Sequence, residues 1–176
     1  MENAFQSWSA LFLRDAVDAG PALAAAGPAV FAGVAAATRF AASGLGARRP
    51  TAVLVVGSAV AAVGSITVAG SATVPVALLG SALAAAGTAV LFPTLISVLT
   101  ERVPDALRGT ATSRVTGLSY VGFLLGPVYF GWWAEWTTLA GAMLAVAGLA
   151  ALLTVLVGAL MRRDHQVSVG AAGVAP

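Results

Sequence analysis

Five long apolar runs separated by short polar breaks constrain this chain more than any other feature: Pro21 to Ser43, Thr51 to Gly70, Thr73 to Thr100, Thr116 to Trp136 and Leu139 to Met161. A helix of about 20 apolar residues spans the roughly 30 Å hydrocarbon core of a bilayer. A soluble fold can bury one such helix, but five in succession leave no amphipathic element to cover them. Membrane-barrel strands would alternate over about ten residues, and these runs do not. The pattern therefore predicts an all-α, polytopic membrane helix bundle. Composition agrees, with 59% hydrophobic and only 9% charged residues, where a soluble domain carries about 25% charged. Pro21, Pro50 and Pro75 stand at run starts, where a missing N–H costs nothing, and Thr73 is a candidate N-cap.

Ahead of these runs, MENAFQSWSALFLRD reads as an apolar, aromatic-rich helix over residues 1–13 that ends in a charged turn. At 1.5 Å per residue it reaches only about 20 Å, short of a full crossing. Arginine placement gives it a direction, because cytoplasmic loops carry the basic excess. Arg39, Arg48, Arg49, Arg102, Arg108, Arg114, Arg162 and Arg163 fall in alternate breaks and in the tail, and only Arg14 falls on the opposite side. The Arg-rich side is thus expected to be cytoplasmic, with the C-terminus inside. The opening helix then leaves the membrane at Arg14 and is expected to be the second part of a truncated span. The organisation expected is five full transmembrane helices plus this partial one over residues 1–163, followed by a disordered cytoplasmic tail over 164–176.

Several function classes lack their residues. With no cysteine there is no disulfide, thiolate or Cys-based metal site, and His165 lies in the polar tail. The arginines are scattered over inter-helix breaks rather than gathered on one soluble face, so nucleic acid is not an expected partner. No Walker loop, HExxH, GxSxG or paired intramembrane carboxylates occur, so ATP-driven and hydrolytic mechanisms are not expected. No basic n-region precedes the first apolar stretch, which speaks against a secretory signal. The expectation is no enzyme, no cofactor and no metal.

Read in order, the chain shows WSALFLRD, a Pro-containing helix, the basic turn GLGARRP, LFPTLISVLTERVP, the loop DALRGTATS, the Gly-rich helix GLSYVGFLLGPVYFGWWAE, and a last apolar helix with a basic tail. This series resembles the C-terminal six-helix half of a major facilitator superfamily (MFS) transporter of the bacterial inner-membrane permease type. The resemblance implies half of a 12-helix fold, in which substrate passes between two six-helix halves by alternating access. It implies secondary, gradient-driven transport of a small molecule across the cell (inner) membrane. The partners would be the lipid bilayer, the substrate, and an N-terminal six-helix half or a second copy of this chain. The rival reading is a non-transporting fragment or structural membrane module that needs a partner half. One departure stands out: family members tend to carry a carboxylate near the arginine of the turn after the second helix, and AATRFAASGLGARRP has none.

Candidate pathway residues follow from position. Glu2, Gln6 and Ser9 are spaced by four and three residues and so share a helix face; ionisable groups inside a membrane usually line a pathway. Arg39 lies near a helix end where it can snorkel. Tyr120 is placed toward the cavity by the resemblance, and Thr88 and Thr94 are further hydrogen-bonding candidates. Pro28, Pro93 and Pro127 sit inside spanning runs, where a proline frees a carbonyl and bends the helix; each is a candidate hinge or a static kink. Gly117, Gly122 and Gly126 suggest a flat packing seam. Trp132, Trp133 and Trp136 suggest an interfacial aromatic belt, and Phe5, Trp8 and Phe12 suggest lipid or packing contacts. Pro104 and Asp105 suggest a short surface helix.

Overall fold

The computed structural model describes residues 1–42 and 49–172, with side chains up to Leu160. Most of the basic turn GLGARRP, including Arg48, lies outside the described residues, as do the side chains of Arg162, Arg163 and His165. The described residues form helices only: α1 (Glu2–Asp15), α2 (Pro21–Ala24), α3 (Ala26–Ala41), α4 (Pro50–Ala69), α5 (Val74–Ala89), α6 (Leu91–Arg102), α7 (Asp105–Trp136) and α8 (Leu139–Ala172). Taking α2 with α3 and α5 with α6 as bent pairs, they make six rods.

The two bends share a cause. A proline lacks the N–H that would close the bond to residue i−4, and its ring crowds that carbonyl. The helix breaks at Ala25, three residues before Pro28, and at Val90, three residues before Pro93. Pro127 by contrast stays inside the continuous α7. At the starts, Pro21 and Pro50 occupy the first helical turn as the spacing implies. Thr73 holds the N-cap position in extended backbone, but its hydroxyl makes no capping bond.

Among the described residues, four helices are long and apolar enough to cross a membrane: Pro21–Ala41, Pro50–Ala69, Val74–Arg102 and Leu139–Leu160, of 21, 20, 29 and 22 residues. The expected fifth, Thr116 to Trp136, is helical as part of the 32-residue α7 but does not meet that standard. Its glycines, tyrosines and tryptophans count toward length yet dilute its hydropathy. The stretch read as a short surface helix is the first part of this same α7. Arg108 secures the join, donating from Nε to the Thr100 carbonyl at the end of α6 (2.7 Å) and pairing through Nη1 with Asp105 (2.7 Å).

Packing divides into an aromatic centre and a backbone-close seam. At the centre Phe5 of α1 stacks on Phe31 of α3 and Trp8 on Phe130 of α7, each pair with ring centroids 5.1 Å apart. Phe12, Met143 and Val146 are buried in the same cluster. The α1 aromatics are therefore core contacts.

The seam lies between α4 and α5, and it is built from two near-identical octets, GSAVAAVG (57–64) and GSALAAAG (80–87). A Cβ added at Gly80 would sit 2.8 Å from the Val68 backbone nitrogen, and one at Gly57 would sit 2.9 Å from the Gly87 carbonyl oxygen. Only hydrogen at these positions lets the backbones meet, the small-residue logic of helices in lipid. Helix α8 packs on the other side of α4, where Thr154 donates to Ser58 (2.8 Å). The seam expected at Gly117, Gly122 and Gly126 is not formed among the described residues, where a Cβ at any of the three would meet nothing within 4 Å. Much of α7 is correspondingly exposed, including Leu118, Leu124 and Val128.

Candidate functional site

The first turn of α1 reaches two neighbouring helices through polar groups. Arg39, in the last turn of α3, donates from Nη2 to both carboxylate oxygens of Glu2, at 2.9 Å each. The carboxylate that the turn after Arg39 lacks is thus supplied by α1. The pair is only partly covered, with 44% of the Arg39 and 32% of the Glu2 side chain exposed. At that exposure an ion pair contributes about 0–1 kcal/mol. Its role in the architecture is to hold two opposite charges beside the end of the apolar α1–α3 contact.

Ser9, expected on the same face as Glu2, does face the same neighbour. It is buried against α3, where a Cβ on Gly27 would fall 3.0 Å from its Oγ. The face defined by Glu2 and Ser9 is therefore the α1–α3 seam, and Gln6 is turned out of it and exposed. The Ser9 hydroxyl is buried with no hydrogen-bond partner among the described residues, as are the indole N–H groups of Trp8 and Trp133.

Next to Glu2, Asn3 makes a contact that spacing did not reveal. Its Nδ2 donates to the backbone carbonyl of Phe123 in α7 at 2.7 Å, and its Oδ1 accepts from Ser7 Oγ at 3.3 Å. The signal in the sequence is Pro127: Phe123 stands four residues before it, so its carbonyl has no intrahelical donor. The chain alone does not say which residue fills that vacancy.

Phe123 also lines a cleft of about 220 Å³ between α6 and α7, together with Phe92, Thr116, Ser119 and Tyr120. Tyr120 is exposed there. The cleft combines three aromatic rings, Tyr120 among them, with the hydroxyls of Thr116, Ser119 and Tyr120, a lining able to stack on a flat or cationic group and to hydrogen-bond its polar edge. Phe123 is the residue shared by the two arrangements, its carbonyl bonded to Asn3 and its side chain in the cleft with Tyr120. Thr88 is not part of this arrangement: it is buried in α5, and its hydroxyl donates to the Ala84 carbonyl at 2.8 Å. Thr94 is buried in α6. The sites of Pro28 and Pro93 are the two helix breaks described above.

A second hollow of about 400 Å³ is lined by Val53, Val56, Val60, Ala86 and Val90, with Arg49 at its rim. Apart from Arg49 it presents hydrocarbon. At the far end of α7, Tyr129, Trp132, Trp133 and Trp136 form a chain of ring contacts with centroids 5.5–6.4 Å apart. At the end of α1, the hydrogen bond from Arg14 holds the Asp15 carboxyl below its ordinary range. No group of three or more His, Cys, Asp or Glu able to hold a metal occurs among the described residues.

A family model described as Major Facilitator Superfamily matches residues 3–176. No curated protein and no solved structure matches the chain.

Proposed function

Because the chain belongs to the major facilitator superfamily, a family of secondary transporters and not of enzymes, we propose that it forms the C-terminal six-helix half of a gradient-driven permease for a small molecule. In this reading α7 is the fifth complete span, and its exposed face, with Tyr120 and Ser119, borders the route. A second six-helix half, supplied by further sequence, another chain or another copy, covers it. The membrane is the cell inner membrane, with the Arg-rich ends cytoplasmic.

The observation that carries the reading is the Glu2–Arg39 pair. Opposite charges at the end of a helix seam, only partly covered, suit a polar or charged small molecule. The non-transporting alternative has the same fold but leaves this pair idle.

Transport in membrane vesicles from cells expressing the gene in its full genomic frame tests the proposal. Uptake or efflux from a panel of labelled small metabolites is expected to collapse with a protonophore or ionophore and to be lost in Glu2→Gln and Arg39→Ala. Transport that survives gradient collapse and needs ATP would overturn it, as would transport indifferent to both substitutions.

A further inference from the structure

Pro127 leaves α7 with a structural debt that α1 settles. In an unbroken helix the Phe123 carbonyl would accept the N–H of residue 127, and proline has none. Within a membrane such a carbonyl is re-satisfied by a neighbouring helix, a local hydroxyl, an ordered water or a local helix adjustment. Here the donor is Asn3 Nδ2, at 2.7 Å and 120 residues away in sequence. The amide is oriented from its other end, since Oδ1 accepts from Ser7 Oγ, which leaves Nδ2 to face α7.

Three further features surround this contact. Glu2, the preceding residue, is tied to α3 through Arg39, so one turn of α1 bridges α3 and α7. Beside Pro127, Gly122 and Gly126 meet nothing within 4 Å at their Cβ positions. They border a hollow of about 240 Å³, with Ala4, Leu125 and Tyr129 among its walls. The hollow leaves room for the Asp105–Gly126 part of α7 to change its angle, and the Asn3 bond is a side-chain tie from α1 to that part. Phe123, whose carbonyl is held, carries its ring into the cleft with Tyr120 and Phe92.

We propose that Asn3 is a positioning residue: by capping the carbonyl orphaned by Pro127, its amide sets the bend of α7 and with it the placement of the Phe123–Tyr120 cleft. Loss of the amide leaves α7 free to sample other angles about Pro127. Restoring a backbone donor at residue 127 makes Asn3 dispensable. The inference rests on geometry and does not require the transport reading.

The test is a double-mutant cycle on the full chain in micelles, crossing Asn3→Leu with Pro127→Ala. Alanine returns an N–H to the Phe123 carbonyl, so the two substitutions act on one acceptor. Interhelical hydrogen bonds in membrane proteins average about 0.6 and reach about 1.7 kcal/mol, so Asn3→Leu is expected to raise the unfolding constant about threefold to twentyfold when residue 127 is proline. With alanine there, the change should be less than about 1.5-fold by the same principle. The absence of cysteine allows spin labels at Leu118→Cys on α7 and Val155→Cys on α8, both exposed positions. The label distance should shift and broaden with Asn3→Leu in the proline background and stay unchanged in the alanine background. A packing role for Asn3 predicts the same fold-change and the same distance response in both backgrounds, and that result overturns the proposal. If Asn3→Leu does not fold, Ser7→Ala replaces it in the cycle: dependence on residue 127 is again expected, and independence overturns the proposal.

Discussion

Gly87→Ala places one methyl group at a close backbone approach between α4 and α5. The new Cβ would lie 2.9 Å from the Ala61 Cα, with the Ala61 nitrogen and the Gly57 carbonyl oxygen nearer still. All three are backbone atoms, so no rotamer change relieves the contact and α4 must part from α5. A separation of about 1 Å forfeits a quarter to a half of each contact's ~0.1–0.2 kcal/mol, so a seam of on the order of 50 atom pairs loses about 3 kcal/mol. Alanine's better helix propensity returns about 1 kcal/mol. The net expectation is about 2 kcal/mol of destabilisation, within the usual range for overpacking. Gly122→Ala makes the same chemical change where nothing lies within 4 Å, and there only the propensity gain of up to about 1 kcal/mol should remain. Equilibrium unfolding in mild-detergent micelles titrated with dodecyl sulfate, followed by helical circular dichroism, reads both. Trimming the opposite side chain with Ala61→Gly should not rescue Gly87→Ala, because the obstruction is main chain. Equal effects of Gly87→Ala and Gly122→Ala, or rescue by Ala61→Gly, would refute the reasoning.

Removing one charge of the half-exposed pair by Glu2→Gln should cost under about 1 kcal/mol of stability, and exchanging the charges with Glu2→Arg and Arg39→Glu should recover most of that loss in the same unfolding assay. Arg108→Ala removes the donor to the Thr100 carbonyl and the partner of Asp105; amide exchange should quicken over residues 100–108 with global stability changed by about 1 kcal/mol or less. Phe31→Ala deletes the ring stacked on Phe5 in the buried centre, and a loss of about 3–5 kcal/mol is expected in the unfolding assay. The Asp15 carboxyl is held below its ordinary range by the hydrogen bond from Arg14, so its small stabilising contribution is present at neutral pH and fades as pH falls through its folded value; a carbon NMR titration should show the carboxyl return to its ordinary range in Arg14→Gln.

What the sequence made legible was set by one-dimensional signals. Apolar run lengths marked out the helices, and prolines marked helix starts; of the three prolines inside runs, Pro28 and Pro93 lie just after helix breaks and Pro127 lies inside a continuous helix. Thr116 to Trp136 shows the limit of run length as a guide: its tyrosines and tryptophans pass as apolar by size but bring O–H and N–H groups with them. The GSAVAAVG and GSALAAAG octets were legible in principle, because each places Gly, Ala and Gly on one helix face. The GxxxG of Gly122 and Gly126 drew attention instead, and the two patterns cannot be ranked without knowing which helices are neighbours.

The site was legible residue by residue but not as contacts. Glu2 and Arg39 each stood out as rare charges in apolar surroundings, yet the lack of a carboxylate near Arg39 in sequence concealed that α1 provides one in space. Asn3 carried no signal of its own, since a single amide near a helix start is ordinary. Its meaning comes from Pro127, which creates a demand for one donor at a known atom, the Phe123 carbonyl, while saying nothing of the supplier. A proline in a membrane helix thus poses a specific question to every neighbouring helix, and the polar residue that answers it is found by geometry. The same logic applied to Pro28 and Pro93 points to a different solution. There the helix itself breaks, at Ala25 and Val90, and the segment after the break starts a new helix of its own. Only at Pro127 is the helix kept continuous, and only there does a side chain from another element meet the freed carbonyl among the described residues. The continuity of α7 and the presence of Asn3 are therefore two sides of one arrangement, and substitution at either position should be felt at the other.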